Sequence, residues 1–295
     1  MGIRAREADA VVDSKRIQMS DGAEVVVHDF GGDGPVLLFG HGTGLCAAMW
    51  GPVIDQLGGS FHAMAIDSRG HGLSPTPVSG NMARTRLAAD VLEVVDACDL
   101  RSESTIAVGH SSGAHSLLAA AGGRPGCFST LLAFEPMFAP PTDGDSAERQ
   151  ERLQATVEST RRRRAHWESR DEARDYFSQR GPMARTAPEV LDAFIEQGVV
   201  PDPAGGVRLA CAPADEAAIY ASAIEHSDAS LAAIACPVRF AYGELNAVAG
   251  GSSVRALAER IGDAAVTELE GMAHFGPFEN PALFGSWVGK TLSAI

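Results

Sequence analysis

Short apolar runs alternate along the chain with longer segments in which apolar residues recur at helical spacing. The runs AEVVVHDF, PVLLFGH, HAMAIDS, TIAVGH, TLLAFEP, PVRFAYG and AVTELEG predict strands, and RIQM a weaker one. Most are continuously apolar, as strands covered on both faces are. Between them, MARTRLAADVLEVVDAC and VRALAERIG carry the helical period. This order predicts an α/β fold, a mostly parallel sheet with helices on both faces.

The alternation stops between Pro136 and about Ile234. SAERQERLQATVESTRRRRAHW, DEARDYFSQR and APEVLDAFIEQG read as helices, the last with Gly198 placed to end it. VVPDPAGGVRL reads as a turn or short hairpin around Gly205 and Gly206. The expected division is a core of residues 1–135 and 235–295, with 136–234 forming a helical lid over the strand ends.

At 295 residues the chain is long enough to bury a core without staples. Its 38 acidic against 24 basic residues give a net charge of −14, which makes nucleic acid and anionic membrane poor partners. The one basic block, Arg161 to Arg164, reads as the solvated face of a charged helix. The five cysteines are odd in number and lack CxxC spacing, against a disulfide framework or a structural zinc. The N-terminus shows no signal-peptide core and no run is long enough to span a bilayer, so the expected location is the cytoplasm.

The densest chemical signal is GHSSGAHSLLAAA, from Gly109. A strand precedes it and a helix follows. Two glycines then permit the sharp turn that lifts Ser111 clear of the sheet at a helix N-terminus. FGHGTGLCAAMW, Phe39 to Trp50, follows another strand and is rich in small residues. Its Gly42 and Thr43 can bring a backbone N–H close to a reacting carbonyl, with the N–H of Ser112 as the second donor. A tight turn or an anion-binding nest is the alternative reading of HGTG. IDSRGHGLSP is a strand followed by a Gly-rich turn, and His71 in it reads as structural.

With these motifs the chain resembles the α/β-hydrolase fold superfamily, in the subgroup with HG-x, D-x-R-G-H-G-x-S, G-H-S-x-G and a late G-x-x-H-F. The resemblance covers nearly the whole chain. It implies an eight-stranded α/β-hydrolase core, with the segment after Pro136 as the family's cap and His71 bracing its loop. It is unspecific for substrate. A serine at the nucleophile position implies acyl chemistry, whereas dehalogenases and epoxide hydrolases of this fold need a carboxylate there. His274 in GMAHFGP stands where the resemblance puts the base, and His110 and His115 are read as packing or pocket-lining. No metal or organic cofactor is implied.

The acid is less direct. The family most often carries it as Asp in G-x-x-D after the seventh strand, but here that stretch is Gly243-Glu244-Leu245-Asn246. An amide cannot stabilise an imidazolium. A second placement in the superfamily, at the end of the sixth strand, falls on Glu135 of TLLAFEP, a position shared with serine lactonases that open zearalenone. "FEP" also recurs in members that use the other site, and Glu244 is the competing carboxylate, but the missing Asp makes Glu135 the expected acid.

The expected reaction is hydrolysis of a carboxylic ester or lactone through an acyl-enzyme. Trp50, Met137, Phe138, Trp167, Phe177, Met183 and Tyr220 are the candidate lining of a pocket for a bulky, mostly apolar small molecule such as an aromatic macrolactone. Two rivals stand beside it. One is a C–C bond hydrolase of a ring-cleavage product, whose carboxylates would call for Arg180 or Arg185. The other is a non-catalytic ligand-binding protein of the same fold. A homo-oligomer is left open.

Overall fold

The computed structural model describes residues 12–137, 147–222, 227–246 and 250–294. In chain order the strands are β1 (Asp13–Gln18), β2 (Glu24–Gly31), β3 (Val36–Gly40), β4 (His62–Asp67), β5 (Thr105–His110), β6 (Thr130–Phe134), β7 (His166–Trp167), β8 (Val199–Pro201), β9 (Val207–Leu209), β10 (Val238–Gly243) and β11 (Ala264–Leu269). The α-helices are α1 (Gly51–Asp55), α2 (Arg84–Ala97), α3 (Ser111–Gly123), α4 (Ala147–Arg161), α5 (Arg170–Phe177), α6 (Pro188–Gln197), α7 (Pro213–Ala221), α8 (Asp228–Ala232), α9 (Ser252–Ala258), α10 (Gly276–Glu279) and α11 (Pro281–Ser293).

Eight strands form one sheet in the order β1-β2-β4-β3-β5-β6-β10-β11. β2 runs antiparallel to β1 and β4; the other neighbours are parallel. This is the α/β-hydrolase sheet. Because side chains alternate along a strand, adjacent residues feed two separate cores. Leu37, Phe39, Val108, Leu132 and Ala241 face one side, packed with Phe278, Phe284, Trp287 and Val288. Leu38, Ala107, Leu131, Ala133 and Phe240 face the other, under Val91, Val94, Leu117, Leu118 and Leu257 of α2, α3 and α9.

Between β6 and β10 lie α4 to α8 and a small sheet of order β7-β9-β8. Among the described residues no strand of this segment joins the large sheet. β8 and β9 form the antiparallel hairpin around Gly205 and Gly206. Trp167, Phe177 and Phe194 make the segment's own aromatic cluster, with ring centroids 5.2 Å apart in each successive pair. No described helix is long and apolar enough to cross a membrane.

Candidate active site

The turn between β5 and α3 depends on missing side chains. A Cβ on Gly109 would stand 2.5 Å from the Ala114 Cα, and one on Gly113 would stand 2.2 Å from the Gly40 carbonyl carbon. With both bare, α3 packs against β3 and Ser111 is carried at the helix start with φ of +52°. A non-glycine residue held there costs on the order of 1–3 kcal/mol, a strain that recurs at functional sites.

Ser111, His274 and Glu135 form one chain of hydrogen bonds. His274 Nδ1 lies 2.6 Å from Glu135 Oε2, and its Nε2 lies 3.2 Å from Ser111 Oγ. A carboxylate only accepts, so the imidazole proton sits on Nδ1 and Nε2 is left to accept from the serine hydroxyl. Glu135 follows β6 with φ of +41° and is buried. Its Oε1 accepts the Gly243 N–H at 2.9 Å, and Oε2 accepts a second bond, from Asn246 Nδ2, at 2.6 Å. Glu244 lies apart from this chain, accepting the Gly271 N–H at 2.9 Å.

His274 is held from behind. His110 Nε2 donates to the His274 carbonyl at 2.8 Å, and the two rings stand 4.9 Å apart. Burial, then the neighbouring His274, push the His110 pKa well below its ordinary value, so His110 stays a neutral support. His115 Nδ1 donates to the Met137 carbonyl at 3.1 Å, behind the start of the inserted segment.

The loop after β3 closes over the serine. A Cβ on Gly42 would meet His110 Nδ1 at 2.9 Å and Ser111 Cβ at 3.3 Å, so the backbone leading to Thr43 approaches only because Gly42 is bare. Ser112 is the second residue of α3, and its N–H is among the first four that a helix leaves without an internal partner. Two buried histidines brace this loop. His71 Nε2 accepts the Gly44 N–H at 3.0 Å. His41 Nδ1 donates to the Gly42 carbonyl at 2.8 Å, while its Nε2 accepts the Ser68 N–H at 3.0 Å.

A cavity of about 310 Å³ opens on Ser111 and His274. Leu45, Pro182, Met183, Phe194 and Phe275 give it apolar walls; Thr43, Arg163, Glu216 and Tyr220 give it a polar one. Of the candidate lining residues, Met183 and Tyr220 border this cavity. Trp50 does not: it is fully buried between Phe39, Phe278 and Phe284. Trp167 and Phe177 lie inside the aromatic cluster of the inserted segment, likewise away from the cavity. Met137 borders a separate cavity beside Glu135 and Asn246. Phe138 lies outside the described residues.

The basic residues also differ from expectation. Arg180 stacks over the Tyr176 ring and Arg185 pairs with Glu279 at 3.2 Å. Arg163, read as part of a solvated face, instead enters the cavity and pairs with Glu216 Oε2 at 2.7 Å. The reason is that α4 ends at Arg161, which breaks the helical period and turns Arg163 inward. Arg84 at the start of α2 is buried. Its Nη1 reaches Met137 Sδ at 3.1 Å, its Nη2 has no partner, and no carboxylate lies within ion-pair distance among the described residues. Burial brings its pKa down to about 10.

This geometry is that of a hydrolase site on an α/β-hydrolase sheet, and the chain belongs to the alpha/beta hydrolase family, whose model matches residues 36–286. A 2-(acetamidomethylene)succinate hydrolase of Mesorhizobium japonicum is 35% identical over 104 residues, 35% of this chain and 36% of that protein. A non-heme chloroperoxidase of Streptomyces lividans is 36% identical over 99 residues, 33% of this chain and 35% of that protein. The matched stretch thus spans about a third of these relatives' length. The crystal structure of an E-2-(acetamidomethylene)succinate hydrolase superposes with a TM-score of 0.80 at 22% identity, covering 96% of this chain and 100% of that one, a likeness of fold.

Proposed function

We propose that the protein is a serine hydrolase that cleaves a carboxylic ester or lactone through an acyl-enzyme. The observation that carries this reading is the unbroken chain from Ser111 Oγ through His274 to Glu135 Oε2. His274 takes the serine proton as the hydroxyl adds to the carbonyl. The N–H groups of Thr43 and Ser112 receive the oxyanion at the helix start, the kind of donor worth about 3 kcal/mol each where measured. Glu135 holds the His274 tautomer and stabilises the imidazolium. His274 returns the proton to the leaving oxygen, then activates the water that frees the acid.

A cavity of about 310 Å³ is at the small end for ligand sites, which favours a compact substrate over a macrolactone. The inserted segment supplies Arg163, Pro182, Met183, Phe194, Glu216 and Tyr220 to that cavity and so acts as the cap that selects the substrate. Turnover of p-nitrophenyl esters of graded chain length, lost in Ser111→Ala with an unchanged circular dichroism spectrum, tests the reading. Wild-type rates in Ser111→Ala would end it.

A second reading draws on Arg84 and Arg163. Arg163 lines the cavity, and Arg84, buried without a carboxylate partner among the described residues, acts electrostatically on Tyr220 of the cavity wall; two such guanidiniums suit a substrate with its own carboxylate. The relative named for a succinate derivative points the same way. On this reading the bond cleaved lies in a small carboxylate-bearing compound and need not be an ester.

A further inference from the structure

We infer that Asn246 is a positioning residue for Glu135, its amide holding the carboxylate toward His274. The inference rests on the serine-hydrolase reading and adds to it a residue outside the Ser111–His274–Glu135 chain.

Asn246 Nδ2 and His274 Nδ1 each lie 2.6 Å from the same oxygen, Glu135 Oε2. One side chain is therefore in reach of the acid and, across a single atom, of the histidine. The remaining oxygen is held by the Gly243 N–H, three residues earlier on the same turn. The last residue of β10 and the turn after it thus grip both oxygens of the carboxylate that follows β6. Room for the grip is made at Gly250, where a Cβ would stand 2.8 Å from both Asn246 Nδ2 and Glu135 Cδ.

The amide is matched to the acid. A carboxylate at 246 beside Glu135 would set two like charges against one oxygen site, and one of them would take up a proton. An aliphatic residue would leave Oε2 with one donor fewer and Glu135 free to turn from His274. Asn supplies a donor and no charge. With Gln at 135 and Asp at 246, the Gln amide would donate to the Asp carboxylate, which would accept the His274 Nδ1 proton in its place.

The rate at which a fluorophosphonate labels Ser111 reads the activation of the serine without a substrate. Glu135→Gln should slow labelling at least a hundredfold. Asn246→Ala should slow it about tenfold, the weight of one hydrogen bond to an anion. The double variant Glu135→Gln/Asn246→Asp should regain at least tenfold over Glu135→Gln alone, which a merely structural Asn246 could not produce. Labelling of Asn246→Ala at the wild-type rate, or a double variant no faster than Glu135→Gln, overturns the inference while leaving the serine-hydrolase reading intact. A wild-type Ser111 that does not react at all overturns both.

Discussion

Gly44 gives its backbone N–H to Nε2 of His71 across 3.0 Å, so the loop beside Ser111 hangs on a histidine that must be neutral to accept it. His41 is under the same constraint through the Ser68 N–H. Burial lowers both pKa values, that of His41 from 6.5 to about 4. Below 6.5 the unfolded chain takes up a proton that folded His41 refuses. The stability present above that pH is therefore lost as pH falls toward 4, by about 3 kcal/mol for this one group. Urea unfolding at pH 7.5, 5.5 and 4 should show the decline. The slope should be shallower in His41→Gln, and an equal slope would remove His41 as its source.

Glu135→Gln should lower kcat by about 10³- to 10⁴-fold with little change in KM, because the amide holds the ring without stabilising its charge. Glu244→Gln should change kcat by less than about threefold, since Glu244 is bonded to the Gly271 N–H and not to His274. Steady-state kinetics of the pair on one ester decides between them.

The anionic-substrate reading makes Arg163 a specificity residue. Arg163→Gln should reduce kcat/KM about tenfold for p-nitrophenyl hemisuccinate while changing that for p-nitrophenyl butyrate less than about twofold. Equal losses on both esters would mean that Arg163 serves only its pairing with Glu216.

Gly113→Ala should destabilise the fold by more than about 3 kcal/mol, because its methyl would enter the Gly40 backbone, which cannot move aside. Gly123→Ala, in the last turn of the same helix, meets nothing within 4 Å and should stabilise by about 0.5 kcal/mol. Urea midpoints of the two variants provide the comparison.

The parts of this molecule that were legible in its sequence are those governed by local pattern. Strands with both faces buried are apolar without interruption, and TIAVGH followed by GHSSG can make little but a strand, a tight turn and a helix. The pocket was less legible, because its walls come from segments far apart in sequence. Trp50, Trp167 and Phe177 are large and apolar, and nothing in their local pattern separates a core side chain from a lining one. Arg163 was hidden for a similar reason: among four consecutive arginines, only the point at which α4 stops decides which turns inward. Glu216 carried one faint signal, an acidic residue in the first turn of α7, which reads equally as dipole compensation. Asn246 drew notice only as a missing Asp; its bond to Glu135 appears once β6 and β10 are side by side.

Glu135 is the last residue before Pro136, where the inserted segment begins, and the Met137 N–H is tied to the Ser111 carbonyl at 3.1 Å. The segment is thus rooted in the two residues on either side of His274. For anyone exchanging such segments between family members to change selectivity, this sets the splice point. A donor whose acid follows its seventh strand brings no carboxylate to position 135. On the serine-hydrolase reading, a chimera joined before 135 would arrive without its acid, whereas one joined after Met137 would keep both the carboxylate and the tether.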